Sequence, residues 1–209
     1  MPIKSLLIAI AITYSTTCFA GFFGPDKFKI IQADNRFSEK NIQVVISKNN
    51  RISKKSVAGG KHIDAKGVFI DPIVTMNGET GDLLEIAFGI TNFTDYDTAY
   101  GAPNSLGNPK EISFLVNGSK PIVLPIKLGD SSWSDRTSYN SASRSASTDI
   151  IESGLASLTL EQYQEIASST SLAVRIIGDK RIVTYESKDI SKTFIPNIRE
   201  FLEKVLVKK

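Results

Sequence analysis

The 209-residue sequence has one cysteine, one histidine and one tryptophan. A lone cysteine excludes a disulfide framework and cysteine-rich zinc sites, and a lone histidine excludes any centre built on two imidazoles. No glycine-rich phosphate loop, Cys-x-x-Cys pair, nucleotide fingerprint or Gly-x-Ser-x-Gly elbow occurs, so common cofactors find no foothold, though not every enzyme is excluded. Apolar residues make up 41% and charged residues 22%, which fits neither a membrane bundle nor a disordered tail. Nothing repeats at a fixed spacing, which argues against a repeat architecture.

The first 20 residues carry the three parts of an export signal. Lys4 gives the positive start, Leu6 to Ile12 the apolar run, and Cys18-Phe19-Ala20 small residues at the −3 and −1 positions before Gly21. Seven apolar residues are too few to span about 30 Å of hydrocarbon as a helix. Cleavage between Ala20 and Gly21 removes the cysteine and leaves a thiol-free chain, suited to an oxidising compartment. The expected location is the bacterial periplasm or the cell exterior, with no transmembrane segment in the mature chain.

From Gly21 onward the dominant pattern is alternation of apolar and polar residues, the signature of half-buried strands. It runs through Phe28/Ile30, Ile42/Val44/Ile46, Val68 to Ile70, Ile73-Val74 and Leu84/Ile86/Phe88/Ile90. Two hairpins follow. One turns at Asn117-Gly118, and a loop over Val116 to Gly118 would set Ile112 opposite Ile122. The other turns at Gly178-Asp179, pairing Val174 with Val183 and Leu172 with Tyr185. Thr159-Leu160-Glu161-Gln162 has capping-box spacing before a short helix. A C-terminal helix is expected from an N-cap at Thr193, with Phe194, Ile198, Phe201, Leu202 and Val205 on one face. The fold class expected is mainly β: an antiparallel β-sandwich, or barrel-like, in one domain over residues 21–209, with the last helix packed on the sheet. Residues 131–147 carry eight serines and read as a loop entering an edge strand.

Charge is unevenly placed. Residues 26–66 sum to +6, residues 67–169 to −8 and residues 170–209 to +4. The densest basic run includes Lys48, Arg51, Lys54, Lys55 and Lys61, in a long loop over residues 47–66. A mobile basic loop is suited to lipopolysaccharide or another anionic surface. Nucleic acid is not expected, because no recognition helix or aromatic platform accompanies the lysines. His62 lies in the same loop without an orienting motif, so a triad is not expected.

A second loop, expected over residues 92–110, mixes Phe93, Asp95, Tyr96, Asp97 and Tyr100, a composition suited to stacking and hydrogen-bonding a ligand such as a sugar. Its two aspartates would be the starting point for a carboxylate hydrolase. Trp133, between Asp130 and Asp135, is a candidate interface anchor. These features together predict an exported, non-enzymatic binding or interaction protein of the bacterial envelope, without cofactor or metal. Polyanion binding through residues 48–66, and carbohydrate hydrolysis by carboxylates, are the alternatives.

Overall fold

The structure is a computed structural model and describes residues 27–33, 41–53 and 66–207, without the side chain of Arg136. The first 20 residues, expected to be an export signal, and Lys54, Lys55, Lys61 and His62 lie outside the described residues.

Alternation produces two antiparallel sheets. The larger runs β1 (Lys29–Gln32), β2 (Ile42–Lys48), β3 (Gly67–Asn77), β4 (Leu83–Asp97), then β8 (Ser145–Leu158) and β7 (Lys127–Asn140). The smaller runs β10 (Ile182–Tyr185), β9 (Leu172–Gly178), β5 (Pro109–Val116) and β6 (Ile122–Pro125). Neither closes into a barrel. The inner faces bury Val74, Phe88 and Ile90 against Ile112, Phe114, Val174 and Ile176, so the molecule is a sandwich around one core.

Two helices seal that core. In α1 (Leu160–Ala167), Thr159 and Gln162 form the reciprocal capping box that the sequence predicts. α2 (Phe194–Phe201) runs on as a π-turn over Leu202–Leu206. Its N-cap is Thr193, but the Thr193 side chain makes no capping bond; its hydroxyl lies 3.0 Å from that of Ser191. Tyr163 of α1 packs on Phe88, with ring centroids 5.6 Å apart, and on Phe201 at 6.3 Å. Its buried hydroxyl donates to the Ile198 carbonyl at 3.0 Å. The stripe on α2 therefore faces its own core, burying Phe194, Ile198 and Phe201.

Both hairpins keep the expected faces but slip by two residues. Ile112 faces Leu124 rather than Ile122, and Phe114 faces Ile122. Asn117 and Gly118 both take positive φ, and Ser119 N–H closes the turn on the Val116 carbonyl. In the second hairpin Val183 pairs with Ile176, and Tyr185 with Val174. Its loop is Asp179-Lys180, because Gly178 N–H bonds the Arg181 carbonyl.

Two expected loops contain more strand than their composition predicts. β4 continues to Asp97, so the connection begins only at Thr98. The serine-rich stretch is the edge strand β7, a turn at 141–144, and the start of β8.

One irregularity sets up the site. Pro72 lies inside β3, where a strand flanked on both sides would lose a ladder bond. The neighbouring strand avoids that loss with a bulge. β2 pairs with β3 up to Ile46↔Ile73, and pairing resumes one residue out of step at Arg51↔Phe69. Asn49 takes φ 68° in the bulge. The Asp71 carboxylate accepts from Asn50 N–H at 3.0 Å and Ser47 Oγ at 3.2 Å, satisfying donors the interrupted ladder leaves behind.

Candidate functional site

The bulge carries the chain on to Arg51 at the rim of a cleft between the sheets, where β10 faces β3 and β4. The cleft encloses about 230 Å³ and is lined by Arg51, Lys66, Asn92, Thr94, Arg181 and Tyr185, with Val68, Leu106 and Val183 supplying apolar surface. It lies some six residues along β4 from Phe88, or roughly 20 Å at the usual strand rise.

Its cations are held differently. Arg51 Nε donates to Ser53 Oγ at 3.1 Å. Gly67, with φ 133°, leaves room for that side chain, since a Cβ there would stand 3.1 Å from Arg51 Nη2. Lys66 bridges Asp95 at 3.0 Å and Asp149 at 3.3 Å, so its single charge is outnumbered by two carboxylates. Arg181 Nη1 donates to the Pro103 carbonyl and to Asn104 Oδ1 at 3.2 Å. These are neutral oxygens, and among the described residues no carboxylate pairs with Arg181. Burial pushes the Tyr185 phenol upward, while the positive charges of Arg181 and Arg51 pull it back, so both guanidiniums act on this side of the cleft.

Beneath the cleft sits Glu152, fully buried in the core. Its Oε2 accepts from Asn92 Nδ2 at 2.8 Å and Leu106 N–H at 2.7 Å. Its Oε1 accepts from Gly107 N–H at 2.9 Å and from Ser105 Oγ. A buried carboxylate is tolerable only when so fully met by donors. The same segment is tied sideways to the β9–β10 hairpin: Lys180 N–H bonds the Leu106 carbonyl at 2.9 Å and Asp179 N–H the Asn108 carbonyl at 3.1 Å. Residues 104–108 therefore form a fixed wall.

Thr94 contrasts with Glu152. It is 3% exposed, and its Oγ1 is buried without a hydrogen-bond partner.

Two residues further along the same face of β4, about 7 Å away, Tyr96 meets Trp133 of β7 with ring centroids 5.5 Å apart. Here β4, β7 and β8 extend past the small sheet. Trp133 is 53% exposed, and Tyr100 and Tyr139 more so.

The sequence candidates thus divide. Arg51 and Phe93 reach the cleft, where Phe93 also meets Phe69 edge-on at 5.9 Å. Half-buried Tyr96 pairs with exposed Trp133, and Tyr100 stands in the turn after β4. Lys48 ends β2 opposite Lys29. Asp95 is engaged by Lys66, while Asp97 accepts from Ala99 N–H at 2.8 Å and Ser145 Oγ at 3.1 Å. Sequence reasoning passed over Thr94, Glu152, Arg181 and Tyr185. Glu152 and Thr94 did leave a signal, as polar residues at inward steps of otherwise apolar alternation. Arg181 and Tyr185 left none, since a hairpin distant in sequence brings them to the cleft.

Among the described residues no group of three or more His, Cys, Asp or Glu could hold a metal ion, and no helix is long and apolar enough to cross a membrane. No protein-family model, curated protein or solved structure matches this chain.

Proposed function

We propose that this is an exported, non-enzymatic binding protein of the bacterial envelope, and that it meets its protein partner with the projecting end of β4, β7 and β8. The observation that carries this reading is the Tyr96–Trp133 pair, which leaves a large aromatic surface in water at the end of a rigid sheet. Aromatic side chains with one face fixed and the other free are the usual anchors of protein interfaces, because they bury much area at small entropic cost. The signal-like first 20 residues support an envelope location. The two aspartates of this region are engaged by Lys66 and by the turn after β4, which favours a structural part for them over hydrolysis.

Native pull-down from envelope extract tests the reading. A stoichiometric partner should be captured by the wild-type chain and lost with Trp133→Ala. The substitution removes the packing of Trp133 on Tyr96, worth about 0.5–1.5 kcal/mol, so the variant's melting temperature is measured alongside to show that it stays folded. Equal capture by both chains, or no partner at all, would remove this surface as the interface.

A further inference from the structure

We infer that the cleft between β10 and the large sheet is a binding site for a small organic anion, recognised through its carboxylate or phosphate oxygens. The site is separate from the Tyr96–Trp133 pair and rests on different observations.

The first is charge. Arg181 lines the cleft with its guanidinium compensated by neutral oxygens alone, and Arg51 acts on the same Tyr185 phenol from another strand. A guanidinium held by one edge keeps further donors in its fork, the geometry that matches a carboxylate or phosphate.

The second is Thr94. Leaving a buried hydroxyl without a partner costs about 1–3 kcal/mol, yet Thr94 lies between Asn92 and Tyr96 on the inner face, where valine has the same shape and no polar atom. An anionic oxygen in the cleft would accept a hydrogen bond from the Thr94 hydroxyl and remove that cost. The hydroxyl is an obligatory participant once the ligand is bound and a liability before.

The third is shape. At about 230 Å³ the cleft lies below the usual range for drug-sized ligands, so it takes a compact body rather than a polymer. Val68, Leu106 and Val183 give that body an apolar bed. Lys66, outnumbered by Asp95 and Asp149, adds little net attraction, so specificity falls on Arg181 and Thr94.

The test is calorimetric titration of the purified protein with inorganic phosphate and, in a separate arm, with glucuronate, which carries a carboxylate on a compact ring. Saturable binding of one of them is expected, and the arm that saturates names the anion. Thr94→Val should weaken it about tenfold, the worth of one hydrogen bond to a charged group. The same variant should melt no lower than wild type, since it removes an unsatisfied polar atom; a purely structural threonine would not give this opposed pair of effects. Arg181→Gln should weaken binding further, with its melting temperature measured alongside. Absence of saturable binding by either anion at millimolar concentration overturns the proposal. So does binding that Thr94→Val and Arg181→Gln both leave unchanged.

Discussion

At the scale of single residues, Asp71 shows how a local irregularity becomes a pH dependence. Burial raises its carboxyl from the ordinary 3.8 to about 6, against the opposing pull of Asn50 N–H and the Ser47 hydroxyl. The folded chain therefore holds this proton more tightly than the unfolded chain. Its contribution to stability is complete below about pH 4 and is lost as the pH rises through about 6. Asp71→Asn can still accept from Asn50 and Ser47 but carries no charge to bury. Urea denaturation across pH 4 to 6 should show the variant gaining on wild type by up to about 1.4 kcal/mol per pH unit. Parallel curves would show that Asp71 titrates as it does in water. Pro72 beside it explains the arrangement: a proline in a flanked strand needs a neighbour that asks for no hydrogen bond, and the bulge before Arg51 is that neighbour.

At the scale of elements, what could be read from the sequence was face, and what could not was phase. Alternation placed Ile112, Phe114, Ile122 and Leu124 on one side correctly, because a slip of one residue would expose the whole set. A slip of two exposes nothing, so the pattern does not resist it, and both hairpins slipped by two. Turn chemistry decided the phase instead. Asn117 accepts the backbone N–H groups of Thr170 and Ser171, and this commits it to the turn. Strand ends were equally hard to read, since the polar residues of β7 and of the outer part of β4 pair as ordinary ladder members without an apolar signal. Across the wall at residues 104–108, Glu152 joins β8 to a segment that has no regular structure of its own. Glu152→Gln turns an acceptor of four donors into a group with its own N–H₂ facing some of them. A loss of about 2–4 kcal/mol in unfolding free energy is expected from equilibrium denaturation, as for other buried charge-assisted networks. A loss below 0.5 kcal/mol, roughly the level of a surface change, would mean the wall stands without this tether.

At the scale of the whole molecule, folding brings the charge blocks of the sequence into contact: Lys66 of the first bridges Asp95 and Asp149 of the second, and Lys110 of the second meets Asp179 of the third. The basic first and last blocks meet where Ser191 N–H bonds the Ile52 carbonyl and Asn197 Nδ2 reaches Asn50 Oδ1 at 3.0 Å. The acidic middle block forms β3, β4, β8 and β7 and supplies the serine-rich edge at the opposite side of the large sheet. The cleft draws Arg51 from one basic block and Arg181 from the other, and the charges of these two guanidiniums are what an anion entering it would meet. Anion binding should weaken as salt rises from 20 to 500 mM, about a fivefold shortening of the screening length, whereas partner capture through Trp133 should persist. Titration and pull-down at both ionic strengths check this. Equal salt sensitivity of the two would show that they share one electrostatic surface.

The fixed wall at residues 104–108 has a consequence for any ligand that enters beside it. Ordering a loop on binding consumes free energy that would otherwise appear as affinity, commonly several tenths of a kcal/mol or more for each side chain immobilised. Here that ordering takes place during folding, through Glu152 and the β9–β10 hairpin. A small anion with few atoms to contribute meets a receptor already in its bound shape, so its contacts have to offset only the ligand's own lost freedom and desolvation, and not the ordering of a loop as well.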